Sequence, residues 1–240
     1  MCTLEQRSNI FVLTLTGNDD EHRLSPTLIA AILSALRQIK SVATSGSVLI
    51  TNSQGRFFSN GLDLPWALAA GCRLKALARL TQMVESLRHV VAELVSLPIP
   101  TIAVVQGHAA AAGFVLALSH DYMLMREDRG VLYMSEIDLG GCLPDYFTVL
   151  FRAKIGSGLA RRDVVLGGRK VRGREAVEMG IVDGVWGCEQ SLREASMELA
   201  ERLGSRKWDG KAYEKMRKGL YPKLCIVVGA VEDRILPAKL

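Results

Sequence analysis

Apolar and polar positions along this chain follow two alternating periods, and the switches between them mark its elements. Ile10 to Leu15 (IFVLTL) is an apolar run of strand length, followed by a turn over Gly17 to Asp20. Ser25-Pro26 then supplies an N-cap and a proline at the first helical position. From there Leu28, Ile32, Ala35 and Ile39 recur on one helical face to about Lys40. Gly46 breaks the pattern, and Ser47 to Thr51 (SVLIT) reads as a strand again. Strand, helix and strand at this spacing form a βαβ unit, so the pattern predicts an α/β fold with a parallel sheet.

Further on, Gly61 to Gly71 reads as a loop containing Trp66. A long amphipathic helix follows, about Arg73 to Leu97, carrying Leu77, Leu80, Val84, Leu87, Val91 and Leu94 and ended by Pro98 and Pro100. A strand begins at Thr101 and runs into a tight turn and a helix start. Asp121 to Met125 and Val131 to Met134 read as short strands. Pro144 opens a helix to about Ile155, and shorter helices cover Gly158 to Leu166 and Gly173 to Met179. Two more are predicted over Gln190 to Gly204 and Lys211 to Leu224. No internal repeat or low-complexity segment interrupts the order.

Composition narrows the class. The 240 residues are 49% hydrophobic and 23% charged, which fits one large α/β domain with or without a small appendage. No apolar run reaches the roughly 20 residues that span a bilayer. The first residues, MCTLEQRSN, lack the basic-then-apolar order of a secretory signal. The net charge of +5 is mild and its basic residues carry no aromatic interleaving, so nucleic acid is not an expected partner. A phosphate-bearing small molecule suits the balance equally well. The five cysteines, Cys2, Cys72, Cys142, Cys188 and Cys225, are widely spaced with no CxxC, which argues for reduced thiols without a metal site. The histidines and carboxylates likewise show no metal-ligand spacing.

The chemistry centres on Val104 to Ala117 (VVQGHAAAAGFVLA). A block of very small residues at a helix start lets a ligand approach the first amides, which have no partner inside the helix. Such amides suit an oxyanion. A second segment, Arg56 to Leu64 (RFFSNGLDL), follows a strand in the same way. A third, Val164 to Asp183 (VVLGGRKVRGREAVEMGIVD), is a turn and a helix. No G-x-G-x-x-G is present, and Ser59 has no His/Asp arrangement to activate it, which disfavours dinucleotide binding and serine hydrolysis.

In order and spacing these three segments resemble the signatures of the crotonase (enoyl-CoA hydratase/isomerase) superfamily, over roughly residues 10 to 185. The resemblance implies a crotonase-like spiral of ββα units over residues 1–190, holding the acyl-CoA site, with a C-terminal helical trimerisation region over 191–240. It implies an acyl-CoA thioester as partner, with CoA as part of the substrate and no separate cofactor, and a homotrimer or hexamer. The thioester oxygen would sit between the amides of Leu62 and Ala112. Substrate contacts would come from Ser59, Asn60, Gly61, Leu64, Trp66, His108 and Gly113, with Asp63 fixing the loop. Arg56, Lys211, Lys215 and Lys223 are basic candidates for the CoA phosphates. The chain has Ala111 and Ala112 where the family usually has glycines.

The acidic residues decide the reaction. Resembled hydratases use two glutamates; the first position is Val115 here and the second is Glu136. One carboxylate suffices to shift the double bond of a 3-enoyl-CoA to the 2-trans position, an intramolecular transposition of C=C used in fatty-acid β-oxidation. Asp138 is a second acid or a loop cap. Alternatives within the superfamily are a hydratase or hydrolase of CoA thioesters; outside catalysis, a silent CoA-binding paralogue. The ending Ala238-Lys239-Leu240 resembles the Ser-Lys-Leu address read by the peroxisomal import receptor, which implies a peroxisomal location.

Overall fold

The computed structural model describes residues 1–16 and 20–231. Most of the predicted turn at Gly17 to Asp20 and the terminal Ala238-Lys239-Leu240 lie outside them.

A hairpin of β1 (Cys2–Arg7) and β2 (Ile10–Leu15) opens the chain, and α1 (Pro26–Val42) follows. Ser25 caps α1 by accepting from the Leu28 amide at 3.2 Å, with Pro26 at its first turn. Three successive units then repeat one plan. Each has a strand in a large sheet, a strand in a small sheet, and a helix. These are β3 (Val48–Ser53), β4 (Phe57–Ser59) and the pair α2 (Leu64–Leu68) and α3 (Arg73–Val95); β5 (Thr101–Val105), β6 (His108–Ala110) and α4 (Ala112–Leu118); and β7 (Tyr122–Arg126), β8 (Val131–Tyr133) and α5 (Asp145–Lys154). After them come α6 (Gly158–Val165), β9 (Val171–Arg172), α7 (Gly173–Glu178), β10 (Gly184–Trp186), α8 (Glu189–Gly204), α9 (Gly210–Leu220) and α10 (Pro222–Val228).

The large sheet has the order β1-β2-β3-β5-β7-β10 and the small one β4-β6-β8-β9. All pairings are parallel except β1 with β2 and β8 with β9. This is the spiral of ββα units implied by the resemblance. Both faces of the large sheet are covered, so its strands are almost continuously apolar. Ile10, Val12, Val48, Ile50, Ile102 and Val104 meet Leu192, Leu199 and Leu203 of α8 on one face. The alternate residues Phe11, Leu13, Leu49, Ala103 and Val105 face the main core with α1 and α3.

The structure departs from the sequence pattern in three places. The Gly61 to Gly71 segment holds the short helix α2, capped by Asp63, whose carboxylate accepts from the Trp66 amide at 3.1 Å. Lys211 to Leu224 is two helices, because Pro222 lacks an amide hydrogen and begins α10 after Tyr221. The strands β1, β4, β6, β9 and β10 are not in the pattern. β1 is an edge strand whose side chains are half-buried or exposed, and the others have two or three residues, too few to show a period.

Candidate active site

The two small-residue segments interlock backbone against backbone. Gly107 packs so closely on the start of β4 that a methyl group there would lie 2.1 Å from the Arg56 carbonyl oxygen. Gly113 meets the Ser59 carbonyl in the same way, at 2.2 Å. Gly61 has φ +80°, and a methyl group on it would stand 3.1 Å from the Ala110 oxygen and 3.5 Å from the Ala112 nitrogen. Only glycine satisfies these approaches, so the loop after β4 lies directly against the start of α4.

That contact brings two amides to one cavity. Leu24 forms a parallel bridge with Leu62: the Leu24 amide donates to Gly61 at 2.8 Å, and the Asp63 amide donates to Leu24 at 3.4 Å. In such a bridge the intervening residue turns its own amide the other way, so Leu62 N–H points away from Leu24. Ala112 is the first residue of α4, and its amide has no acceptor inside the helix. Neither amide donates to an acceptor among the described residues. Leu62 and Ala112 both line a cavity of about 480 Å³.

Glu136 lines the same cavity, in the turn after β8. The turn is closed by the Gly141 amide, which donates to the Glu136 carbonyl at 2.8 Å. One carboxylate oxygen, Oε2, is buried without a hydrogen-bond partner. Burial pushes the carboxyl above its ordinary value, against a smaller opposite pull from its own amide and that of Ser135. Much of the surrounding wall is apolar, from Leu62, Leu64, Leu80, Val84, Leu139 and Phe147, with Arg23, Asn60, Tyr133 and Ser135 as its polar part. A half-buried carboxylate with one buried, unpartnered oxygen, facing a largely apolar cavity with two free amides, is the arrangement a proton-transfer site needs.

The remaining predicted residues fall into two groups. Asn60 and Leu64 line the cavity, and Asn60 Nδ2 donates to Glu21 at 2.5 Å. Ser59, Gly61 and Gly113 shape it from behind. Ser59 is fully buried, donates to the His22 carbonyl at 2.8 Å and accepts from the Gly61 amide at 3.3 Å. Trp66 packs against the core with Arg79 stacked 4.7 Å above its ring. His108 lines a different cavity, with Arg56, Arg129 and Arg172, and sits edge-on to Phe57. Burial, then Arg56, Arg172 and Lys170, hold its imidazole below the usual histidine value. Asp138 lies against Gly168, and Val115 is wholly buried in the core. Glu136 is therefore the only carboxylate lining the cavity among the described residues.

Several lining residues escaped sequence reasoning: Arg23, Leu80, Val84, Tyr133, Cys142 and Phe147. Arg23 pairs with Glu21 at 2.5 Å, the carboxylate that also holds Asn60. Leu80 and Val84 lie on the amphipathic face of α3, and periodicity alone does not distinguish a cavity from core behind it.

Comparison with known proteins agrees with this architecture. A family model described as enoyl-CoA hydratase/isomerase matches residues 5–222, and the chain belongs to that family. It is 57% identical to the Arabidopsis thaliana protein named enoyl-CoA delta isomerase 2, peroxisomal, over 98% of each chain. It is 55% identical to enoyl-CoA delta isomerase 3 of the same plant, again over 98% of each. The crystal structure of a probable enoyl-CoA hydratase from Mycobacterium tuberculosis superposes with a TM-score of 0.84 at 18% identity. That match covers 95% of this chain and 92% of the other, and shows the shared fold.

Proposed function

We infer that this chain is a peroxisomal Δ3,Δ2-enoyl-CoA isomerase, an enzyme that moves the double bond of a 3-enoyl-CoA to the 2-trans position. The relatives named as enoyl-CoA delta isomerases match it along nearly its whole length, and one of them is named peroxisomal. The observation that carries the reaction is the single carboxylate: Glu136 lines the cavity and Val115 stands in the core where a hydratase would need a second acid.

The thioester oxygen is placed between the Leu62 and Ala112 amides. Glu136, ionised, removes a proton from C2 of the 3-enoyl chain. The electron pair delocalises onto the thioester oxygen as a dienolate, and the two amides stabilise that charge; losing one such donor costs about 3 to 4 kcal/mol in comparable sites. The proton on Glu136 is then delivered to C4. The C3=C4 bond becomes C2=C3, no atom is gained or lost, and the carboxylate is regenerated. One base serves both transfers, and no separate cofactor enters the scheme. The apolar part of the wall suits this sequence, because water near the dienolate would compete for the proton.

A homotrimer or hexamer, read out by light scattering, is part of the proposal. So is recognition of Ala238-Lys239-Leu240 by the peroxisomal import receptor, tested by deleting the tripeptide from a fluorescent fusion.

The deciding experiment follows 3-enoyl-CoA to conjugated 2-enoyl-CoA by ultraviolet absorbance, with wild type beside Glu136→Gln. The expected result is turnover by wild type and a loss of about 10²- to 10⁴-fold in the variant. Equal turnover by both would remove Glu136 as the base.

A further inference from the structure

The cavity that holds His108, about 610 Å³ in volume, lies at the other end of the small sheet and shares no lining residue with the one at Glu136. Strands β4, β6 and β8 run parallel, and Phe57, His108 and Val131 stand side by side at their first residues, with Arg172 of β9 extending the row. Leu62, Ala112 and Glu136 instead follow the last residues of the same three strands. Ala109 and Leu132, next along β6 and β8, point into the core, which leaves His108 and Arg172 on the outer face of the sheet. Arg56, Arg129 and Arg172 line this second cavity, and none has a carboxylate partner among the described residues. Its carboxylates are Asp20, Glu127 and Asp128. Arg174 engages Glu127 at 3.0 Å, and Arg126 engages Asp128 at 2.6 and 2.9 Å, so Asp20 alone is left to three arginines. The His108 ring makes no hydrogen bond among the described residues, and its Nδ1 is buried. Besides burial, the charges of Arg56, Arg172 and Lys170 hold the imidazole below its usual value, a sign of how closely these cations converge.

We propose that this second cavity binds a phosphate-bearing small anion, separately from the acyl-CoA thioester. Unpaired cations gathered around one space repel each other, and an anion among them removes that cost. Guanidinium forks match phosphate oxygens two at a time, which suits Arg129 and Arg172, while Arg56 adds charge and His108 donates a ring N–H. The volume falls within the range of about 300 to 1,000 Å³ of small-molecule sites. Val131 supplies the only apolar side chain of the described lining, so a charged ligand is selected and an acyl chain is not. Arg56, which the family resemblance offered to the CoA phosphates, lines this cavity and not the one with Glu136.

The test titrates inorganic pyrophosphate by calorimetry into wild type, the double variant Arg129→Gln/Arg172→Gln and a control, Arg193→Gln/Arg202→Gln on α8. All four arginines are exposed, so the fold is expected to survive, and circular dichroism checks it. The expected result is saturable binding by wild type and control, and an affinity lower by about tenfold or more in the double variant, which has lost two charge-assisted contacts. No binding by wild type, or equal weakening in variant and control, overturns the proposal. The titration is then repeated with saturating dodecanoyl-CoA. An unchanged pyrophosphate affinity supports a separate site, whereas displacement means that the phosphates of CoA itself reach it, and overturns the proposal. Should dodecanoyl-CoA not bind, the acyl-CoA reading fails and the first titration alone decides. A further readout is taken on wild type and does not depend on the charge variants. Bound pyrophosphate favours the imidazolium, so the titration of His108 followed by NMR should move to higher pH, its resonance being assigned by its absence in His108→Gln. An unmoved titration places the anion elsewhere and overturns the proposal.

Discussion

Gly113 lies so close beneath the Ser59 carbonyl that a side chain at this position would begin 2.2 Å from its oxygen. The small sheet and the start of α4 can approach only because this residue has no Cβ. Two residues earlier the chain is less economical. Ala111, which caps α4, is held at φ 49° and ψ −123°, although it carries a methyl group. Its amide donates to the Tyr133 carbonyl at 2.9 Å, and this bond to β8 helps hold the conformation in place. The departure from a glycine run thus affects the two alanines differently. Ala112 occupies an ordinary helical start, and the strain falls on Ala111.

Ala111→Gly should therefore stabilise the protein. The dihedrals are close to the mirror image of the first central residue of a type II turn, a conformation dominated by glycine. Holding a non-glycine residue in such a region costs about 1 to 3 kcal/mol. Glycine's greater freedom in the unfolded chain returns about 0.4 to 1 kcal/mol of that. The net expectation is a gain of about 1 kcal/mol, or a Tm higher by roughly 2 to 4 °C for a chain of this size. Thermal unfolding of the two proteins side by side is the check, and a lower Tm in the variant would contradict the strain argument.

The pH dependence of Glu136 follows from its burial, which raises its carboxyl above the ordinary range. Only the ionised form removes a proton, so kcat/KM should rise with pH and level off above an inflection higher than a free glutamate's value of about 4.3. Stability runs the other way. A carboxyl whose folded value is raised binds its proton more tightly in the folded protein than in the unfolded chain. Its charging between the unfolded and the raised folded value, and above, works against folding. Glu136→Gln removes that penalty. The variant should be inactive yet gain Tm relative to wild type on going from acid to neutral pH. An inflection at or below the free value, or a Tm difference flat with pH, would show that the carboxylate is solvated.

Much of this was legible in the chain itself, for physical reasons that differ by residue. Ser25-Pro26 marks the start of α1 because capping chemistry is local. Gly61, Gly107 and Gly113 mark the interlocked segments because close backbone approach admits little else. Glu136 stood out only through the spacing of those segments, since a glutamate after a strand has no signature of its own. The lining of the cavity was hidden. Leu80 and Val84 have the same 3.6-residue period whether their face meets core, cavity or water. His108 sat next to the small-residue block in sequence, yet strand geometry carries it to a different cavity from Leu62 and Ala112. Arg217 was equally hidden, because a cation in a basic helix reads as a solvated face until the structure shows it buried.

Arg217 fastens the C-terminal helices to the core, and its removal should be among the costliest single changes. Its guanidinium pairs with Asp121, with Nε donating to Oδ1 at 2.7 Å and Nη2 to Oδ2 at 2.5 Å. It also donates to the Leu97 and Ile99 carbonyls just after α3, at 2.5 and 2.6 Å. Asp121 in turn accepts from the Thr101 amide at 3.0 Å at the start of β5. Burial is the largest single influence on the Asp121 carboxyl and would raise it, but the Arg217 charge and hydrogen bonds, with the Lys154 charge and the Thr101 amide, together outweigh burial and hold the group below its ordinary value. Arg217→Met keeps much of the volume but leaves a buried, uncompensated carboxylate, a change that typically costs about 3 to 5 kcal/mol. A Tm drop on the order of 10 °C is expected. The double variant Arg217→Met/Asp121→Asn should recover a good part of that loss, because the surviving partner is then neutral. A double-mutant cycle by thermal unfolding measures the coupling. Additive losses from the two substitutions would mean that the pair stabilises the fold through packing alone and that its charges do not interact.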